Sequence, residues 1–174
     1  MSPEGDSYRL FFALWPDEAR RQQIEERTRA AVTESGGRRV PPRNYHITLL
    51  FIGNVGREGL DRAQTVAAAL SAPAFELSLD HIHSPARARV MWLGTQQQPP
   101  ALATLERGLH SSGLASGVEH RFKPHLTLVR DPIRRLRTLT IEPVAWLVRD
   151  FVLVCSQLGA AGSEYTVIGR WELV

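Results

Sequence analysis

Two hydrophobic rhythms run along this chain. Short unbroken or alternating apolar runs mark strands, and apolar residues three or four apart mark helices packed on one face. Tyr8 to Trp15 is an aromatic-rich run and predicts a buried central strand. Pro16-Asp17 ends it, and Asp17 is placed to cap a helix over 18–34. Ala19, Ile24, Ala30, Ala31 and Val32 follow helical spacing only roughly there, and the many charged residues between them predict a solvated outer face. Gly36-Gly37 stops that helix. A short strand at 38–40 leads into an extended turn at Pro41-Pro42. A strand over about 45–52 then ends at Gly53-Asn54. Leu60, Ala63, Val66, Ala67 and Leu70 predict a helix over 57–70, and Phe75, Leu77 and Leu79 alternate in a strand that runs to His83. A strand over 89–94, a helix over 101–114 and a strand over about 124–129 follow. Three strands close the chain, at 143–148, 150–157 and 164–173.

The order strand, helix, strand occurs twice. One copy runs from Trp15 to His46 and the other from Trp92-Leu93 to His125, over similar intervals. Both copies end in the same four-residue pattern, His46-Ile47-Thr48-Leu49 and His125-Leu126-Thr127-Leu128. On a strand, side chains alternate between faces. His46 and Thr48 therefore share one face, as do His125 and Thr127, while the aliphatic residues between them point into a core. A duplicated unit packed about a pseudo-two-fold axis brings these strands face to face. Two proton-transfer groups and two hydroxyl donors then surround one cleft.

With 174 residues and 43% apolar residues, the chain is expected to form one domain over 1–174 with a substantial core. The single cysteine, Cys155, sits in an apolar run and reads as a buried, inert thiol. There is no run of membrane-spanning length, and a cytoplasmic protein is expected. The net charge is +3, and all of the 21 basic residues except Lys123 are arginine. That balance favours anionic ligands, and guanidinium suits phosphate.

The two motifs in their contexts, Asn44-Tyr45-His46-Ile47-Thr48-Leu49-Leu50-Phe51-Ile52-Gly53 and Phe122-Lys123-Pro124-His125-Leu126-Thr127-Leu128-Val129-Arg130, resemble the two-histidine (2H) phosphoesterase superfamily. Arg9 to Pro16 is similar to that family's opening strand, and Tyr165 with Trp171-Glu172-Leu173 to its close. Within the superfamily the resemblance is to the RNA 2′,3′-cyclic phosphodiesterases, also called 2′-5′ RNA ligases. It implies an α+β fold of two pseudo-symmetric lobes. Each would be a mainly antiparallel sheet with helices outside, and an active-site cleft would lie between them. It implies hydrolysis of RNA or nucleoside 2′,3′-cyclic phosphates to 2′-phosphomonoesters. His46 would protonate the leaving 3′ oxygen and His125 would activate water. Related readings are 2′,5′-phosphodiester or ADP-ribose cyclic-phosphate hydrolysis, end-joining by reversal, and RNA-end binding without turnover.

Histidine suits both proton transfers because its ordinary pKa is near neutrality. Thr48 and Thr127 are placed to donate hydrogen bonds to the non-bridging phosphate oxygens. No metal or cofactor is needed, and a monomer is expected. Arg130 is the candidate for a further phosphate contact, and Phe51 for stacking on a base. Strict alternation places Arg130 on the face opposite His125, so it reaches the cleft only if its strand bulges near Asp131-Pro132. Phe51 has the same parity problem relative to His46. His81 and His83 share a face and, with His46 and His125, offer a rival zinc reading. His110, His120 and the Arg134, Arg135 and Arg137 turn read as solvated, and the four tryptophans as core.

Overall fold

The computed structural model describes residues 7–115 and 121–174, so His120 and its reading lie outside the described residues. In chain order the elements are β1 (Tyr8–Leu14), α1 (Glu18–Ser35), β2 (Arg38–Arg39), a 3₁₀ turn at Pro42–Asn44, β3 (Ile47–Val55), α2 (Arg57–Ala69) and β4 (Phe75–His83). They continue with β5 (Val90–Gly94), α3 (Pro100–His110), β6 (His125–Arg130), β7 (Leu139–Val148), β8 (Asp150–Gly159) and β9 (Gly162–Glu172).

The strands form one curled sheet in the order β7-β4-β5-β6-β3-β1-β8-β9, with β2 beside β6. Every pairing is antiparallel. The order reads as two four-stranded halves, β6-β5-β4-β7 and β3-β1-β8-β9, joined at their inner edges. Each half carries one copy of the repeat, β1-α1-β3 or β5-α3-β6. The expected lobes are therefore the two halves of one α+β sheet. The seam between them is the pair Ile47–Leu126.

α1 and α3 brace this seam by crossing it. α1 follows β1 but packs on β7 and β6 of the other half, and α3 follows β5 but packs on β3. Asp17 caps α1 by accepting from the Arg20 N–H at 2.8 Å. The inner face of α1 is Ile24, Thr28, Ala31, Val32 and Ser35. Leu10, Phe12 and Leu14 of β1 face these helices and are fully buried, each contributing roughly 1.5–3 kcal/mol of apolar burial. The alternate residues, Phe11 and Ala13, face the other way and form a small cluster with Val152 and Val154. That open face of the sheet carries both motifs.

Two boundaries differ from the sequence pattern for local reasons. β7 begins at Leu139 and runs through Pro143, where the pattern places a strand start. β7 is an edge strand with a register shift at that level, so a residue without an N–H is tolerated. α3 stops at His110 because Gly113 turns the chain at φ 72. Cys155 is half-buried rather than fully buried. Among the described residues no helix is long and apolar enough to cross a membrane.

Candidate active site

His46 immediately precedes β3 and His125 is the first residue of β6. Each ring is anchored by its own chain. His46 Nδ1 lies 2.7 Å from the Asn44 carbonyl oxygen, and His125 Nδ1 lies 2.8 Å from that of Lys123. A carbonyl can only accept, so both Nδ1 atoms carry the proton. Both Nε2 atoms are then left for chemistry. The duplication has preserved this device two residues upstream in each copy.

The seam sets how the motifs meet. Ile47 and Leu126 are fully buried partners in antiparallel register. That register puts His46 across from Thr127 and Thr48 across from His125, on the open face. The histidines are then diagonal neighbours, roughly 7–8 Å apart at Cα in a regular ladder. Among the described residues neither threonine hydroxyl is committed to a protein partner.

Local bulges bring in the two residues whose parity was wrong. In β3, Phe12 pairs with Leu50 but Ala13 with Thr48, so Leu49 is an extra residue. Leu49 and Leu50 are both buried, and Phe51 turns out to the face of Thr48, 41% exposed. In β6, Met91 pairs with Val129 but Trp92 with Thr127, so Leu128 is extra. Leu128 and Val129 are both buried, and Arg130 emerges beside Thr127. Beyond it Asp131 adopts φ 49, and its carboxylate takes Arg38 Nη2 at 2.6 Å and Arg89 Nε at 2.9 Å. The Arg38 hydrogen bond, above all, holds the Asp131 carboxyl below its ordinary pKa. Gly37 closes this corner, since a Cβ there would lie 2.4 Å from the Asp131 carbonyl oxygen.

The two histidines have different surroundings. Trp15 stacks on His46 at 5.4 Å and 10°, Tyr165 meets it edge-on at 5.3 Å, and Phe11 lies at 5.0 Å. Burial in this aromatic cage pushes the His46 pKa down from 6.5 to about 4. The Asn44 carbonyl opposes that shift, while the positive charges of Arg130 and His125 add to it. His125 is exposed, with Trp92 at 5.7 Å and 46°.

A stability prediction follows from the cage. Neutral His46 contributes fully above pH 6.5, and the contribution is lost as pH falls toward about 4, because the unfolded chain binds the proton first. The loss attributable to this ring is roughly 3 kcal/mol. Urea unfolding at pH 7 and pH 4 is expected to show it in the wild type and to show that much less acid sensitivity in His46→Gln.

Two cavities flank the motifs. One, of about 350 Å³, has walls that include Arg38, Arg39, Arg43, His46, Thr127 and Arg130. The other, of about 360 Å³, includes Arg9, Phe11, Thr48, Phe51, Arg130 and Tyr165. The Arg9 guanidinium lies 5.1 Å over the Phe51 ring. Arg130 and Tyr165 belong to both cavities. Arg130 joins the cavity of His46 and Thr127 to that of Thr48 and Phe51, while His125 lines neither cavity and lies against Trp92.

Sequence reasoning missed the cage. Trp15 reads as core, yet its ring is a wall of the site. Phe11 and Tyr165 lie in the segments similar to the family's opening and close, but nothing in the sequence sets them against His46, although Trp15 and Trp92 occupy matching places in the repeat. His81 and His83 do not join the motif histidines in a metal site. Their Nδ1 atoms bond to Asp80 and Thr138, and both rings lean on Trp92. Among the described residues no three His, Cys, Asp or Glu side chains are grouped to hold a metal ion. His110 is not simply solvated, because its Nε2 pairs with buried Glu106 at 3.0 Å. Arg134, Arg135 and Arg137 are exposed, as the pattern implies.

A family model described as LigT like phosphoesterase matches residues 14–92. The chain is 36% identical over 173 residues to RNA 2′,3′-cyclic phosphodiesterase of Escherichia coli (strain K12), covering 95% of this chain and 96% of that protein. It is 31% identical over 191 residues to the protein of the same name from Thermus thermophilus, covering 95% and 90%. Among solved structures, E. coli LigT complexed with 3′-AMP is similar at TM-score 0.88 and 31% identity, covering 97% of this chain and 99% of that one.

Proposed function

This chain belongs to the LigT-like phosphoesterase family, and on that premise we propose how it hydrolyses RNA and nucleoside 2′,3′-cyclic phosphates to 2′-phosphomonoesters. The reading rests on one observation: two Nδ1-anchored imidazoles, each with a threonine of the other motif across from it, meet over a single seam. A 2′,3′-cyclic phosphate carries one negative charge and opens by in-line attack of water. The P–O3′ bond breaks as the new P–O bond forms. One Nε2 removes a proton from the water and the other Nε2–H supplies one to O3′. Thr48 and Thr127 donate to the non-bridging oxygens, and Arg130 adds its charge there. Phe51 stacks on the base. The scheme uses protein groups alone and needs no metal or cofactor.

The family resemblance assigns the leaving-group acid to His46 and the base to His125. Burial holds His46 neutral in the free protein. Beyond the two Nδ1 protons the pair needs one Nε2 proton in total, and that proton on either ring gives the same overall count. An arriving phosphate anion offsets Arg130 and draws that proton to His46. The substrate thereby sets the reactive arrangement. Both motifs come from one chain, so a single bilobal domain over 1–174, acting as a monomer, completes the site. The lone half-buried thiol suits a reducing cytoplasm.

The test is a panel of nucleoside 2′,3′-cyclic phosphates and cyclic-phosphate oligomers, read by phosphorus NMR with and without EDTA. The expected product is the 2′-phosphate, at a rate the chelator leaves unchanged. A 3′-phosphate product, or turnover abolished by EDTA, overturns the scheme.

A further inference from the structure

We propose that the arginine-walled cavity beside His46 binds the upstream phosphates of an RNA strand whose cyclic end is being opened, through Arg39 and Arg43. The inference rests on the reading above and extends it from the reacting group to the rest of the substrate. A terminal nucleotide held by its cyclic phosphate has two other extensions, its base and its 5′ phosphodiester. The two cavities differ in the way those extensions differ. The one at Thr48 offers the Phe51 ring and the Arg9 guanidinium above it, which suit a base. The one at His46 is walled by four arginines, Arg38, Arg39, Arg43 and Arg130, and by no carboxylate among its lining residues.

The four are not equivalent. Arg38 is held by Asp131 at 2.6 Å, and Arg130 belongs to the reacting centre. Arg39 pairs only loosely with Glu25, at 3.6 Å, with its side chain 53% exposed. Arg43 is exposed and has no acidic partner among the described residues. It sits in the 3₁₀ turn that ends just before His46, which fixes its distance from the chemistry along the backbone. The turn is itself tied to the β8–β9 hairpin by Asn44 Nδ2, which donates to the Ser163 carbonyl oxygen at 3.3 Å. β2 pairs Arg38 with Arg130 and Arg39 with Val129, so Arg39 lines the cavity from the α1 side, where Glu25 lies. Arg43 thus stands on a tied turn at the exit of the site, with Arg39 at the cavity's rim.

The consequence is a preference for chains over mononucleotides that weakens with salt. For single strands each phosphate contact contributes about 0.7 to the slope of log affinity against log salt. Two contacts then cost roughly sevenfold in affinity between 50 and 200 mM salt. The experiment compares kcat/KM for adenosine 2′,3′-cyclic phosphate, its 5′-phosphorylated form and a tetraadenylate with the same cyclic end, at both salt concentrations. Equilibrium binding of the corresponding 2′-phosphate products is measured alongside. The tetramer is expected to exceed the mononucleotide by about fivefold or more at the lower salt concentration, with the steeper salt slope, and the 5′-phosphorylated form to fall between them. Arg39→Ala/Arg43→Ala is expected to remove that advantage while leaving the mononucleotide rate unchanged. Equal rates for all three substrates, or an equal loss on mononucleotide and tetramer in the variant, overturns the proposal. If neither the mononucleotide nor the tetramer is turned over, the catalytic reading fails. The product-binding comparison then still decides the arginine track, since equal affinity for monomer and tetramer products refutes it.

Discussion

Replacing His46 or His125 with alanine is expected to lower kcat by about 10²–10⁴ with little change in KM, because each ring moves a proton only in the transition state. The two losses are not expected to multiply, since both rings serve one displacement at one phosphorus. Folding is a separate matter for the two positions. His125 is exposed, so its alanine variant should keep the wild-type thermal midpoint. His46 is packed between Trp15, Tyr165 and Phe11, and its removal leaves a gap in that cluster. His46→Gln is therefore the cleaner probe there. Steady-state kinetics on a 2′,3′-cyclic nucleotide, with a circular-dichroism melt for each variant, checks the expectation. Full turnover in either folded variant would show that its imidazole is not an acid or base of the reaction.

Arg130→Gln is expected to cost about 10²–10³ in kcat, the typical range for one donor aimed at developing negative charge. A second signature separates this role from a merely structural one. The Arg130 charge is among the influences that push the His46 pKa down, so its removal moves the His46 titration upward from about 4. Arg130→Lys should keep that titration low but recover activity only in part, because an ammonium lacks the planar fork. Thr48→Val and Thr127→Val remove one hydroxyl donor each and are expected to lower kcat without moving His46. Histidine-selective NMR titration beside the rate measurements distinguishes these outcomes. An unchanged rate in Arg130→Gln would remove the guanidinium from the reacting centre.

The repeat and the paired motifs were legible because they depend on residue identity and on period-two alternation. His46, Thr48, His125 and Thr127 lie on one open face as that alternation requires. What alternation cannot carry is a bulge. Leu49 and Leu128 each add one residue to a strand, and nothing in a run of aliphatic residues marks which of them is unpaired. Arg130 and Phe51 reach the site only through those slips. The crossing of α1 and α3 to the opposite half was equally invisible, because an amphipathic stripe says that a helix packs but not on what. The aromatic cage escaped for a third reason. Trp15 lies at the end of a buried strand, and Tyr165 arrives from β9 more than a hundred residues later. Only the sheet order puts β1 between β3 and β8, with β9 beyond.

The depressed His46 titration gives the site a pH dependence whose sign follows from proton counting. The active pair carries one Nε2 proton between its two rings. At low pH it gains a second as the caged ring protonates near 4, and a pair without that shared proton has no acid to offer O3′. The most direct measurement of the central claim is kcat/KM for a nucleoside 2′,3′-cyclic phosphate from pH 3 to 9, with circular dichroism to confirm folding at each pH. Two imidazoles sharing one proton predict a bell with a limb on each side. A rate that stays flat across that whole range would contradict the account.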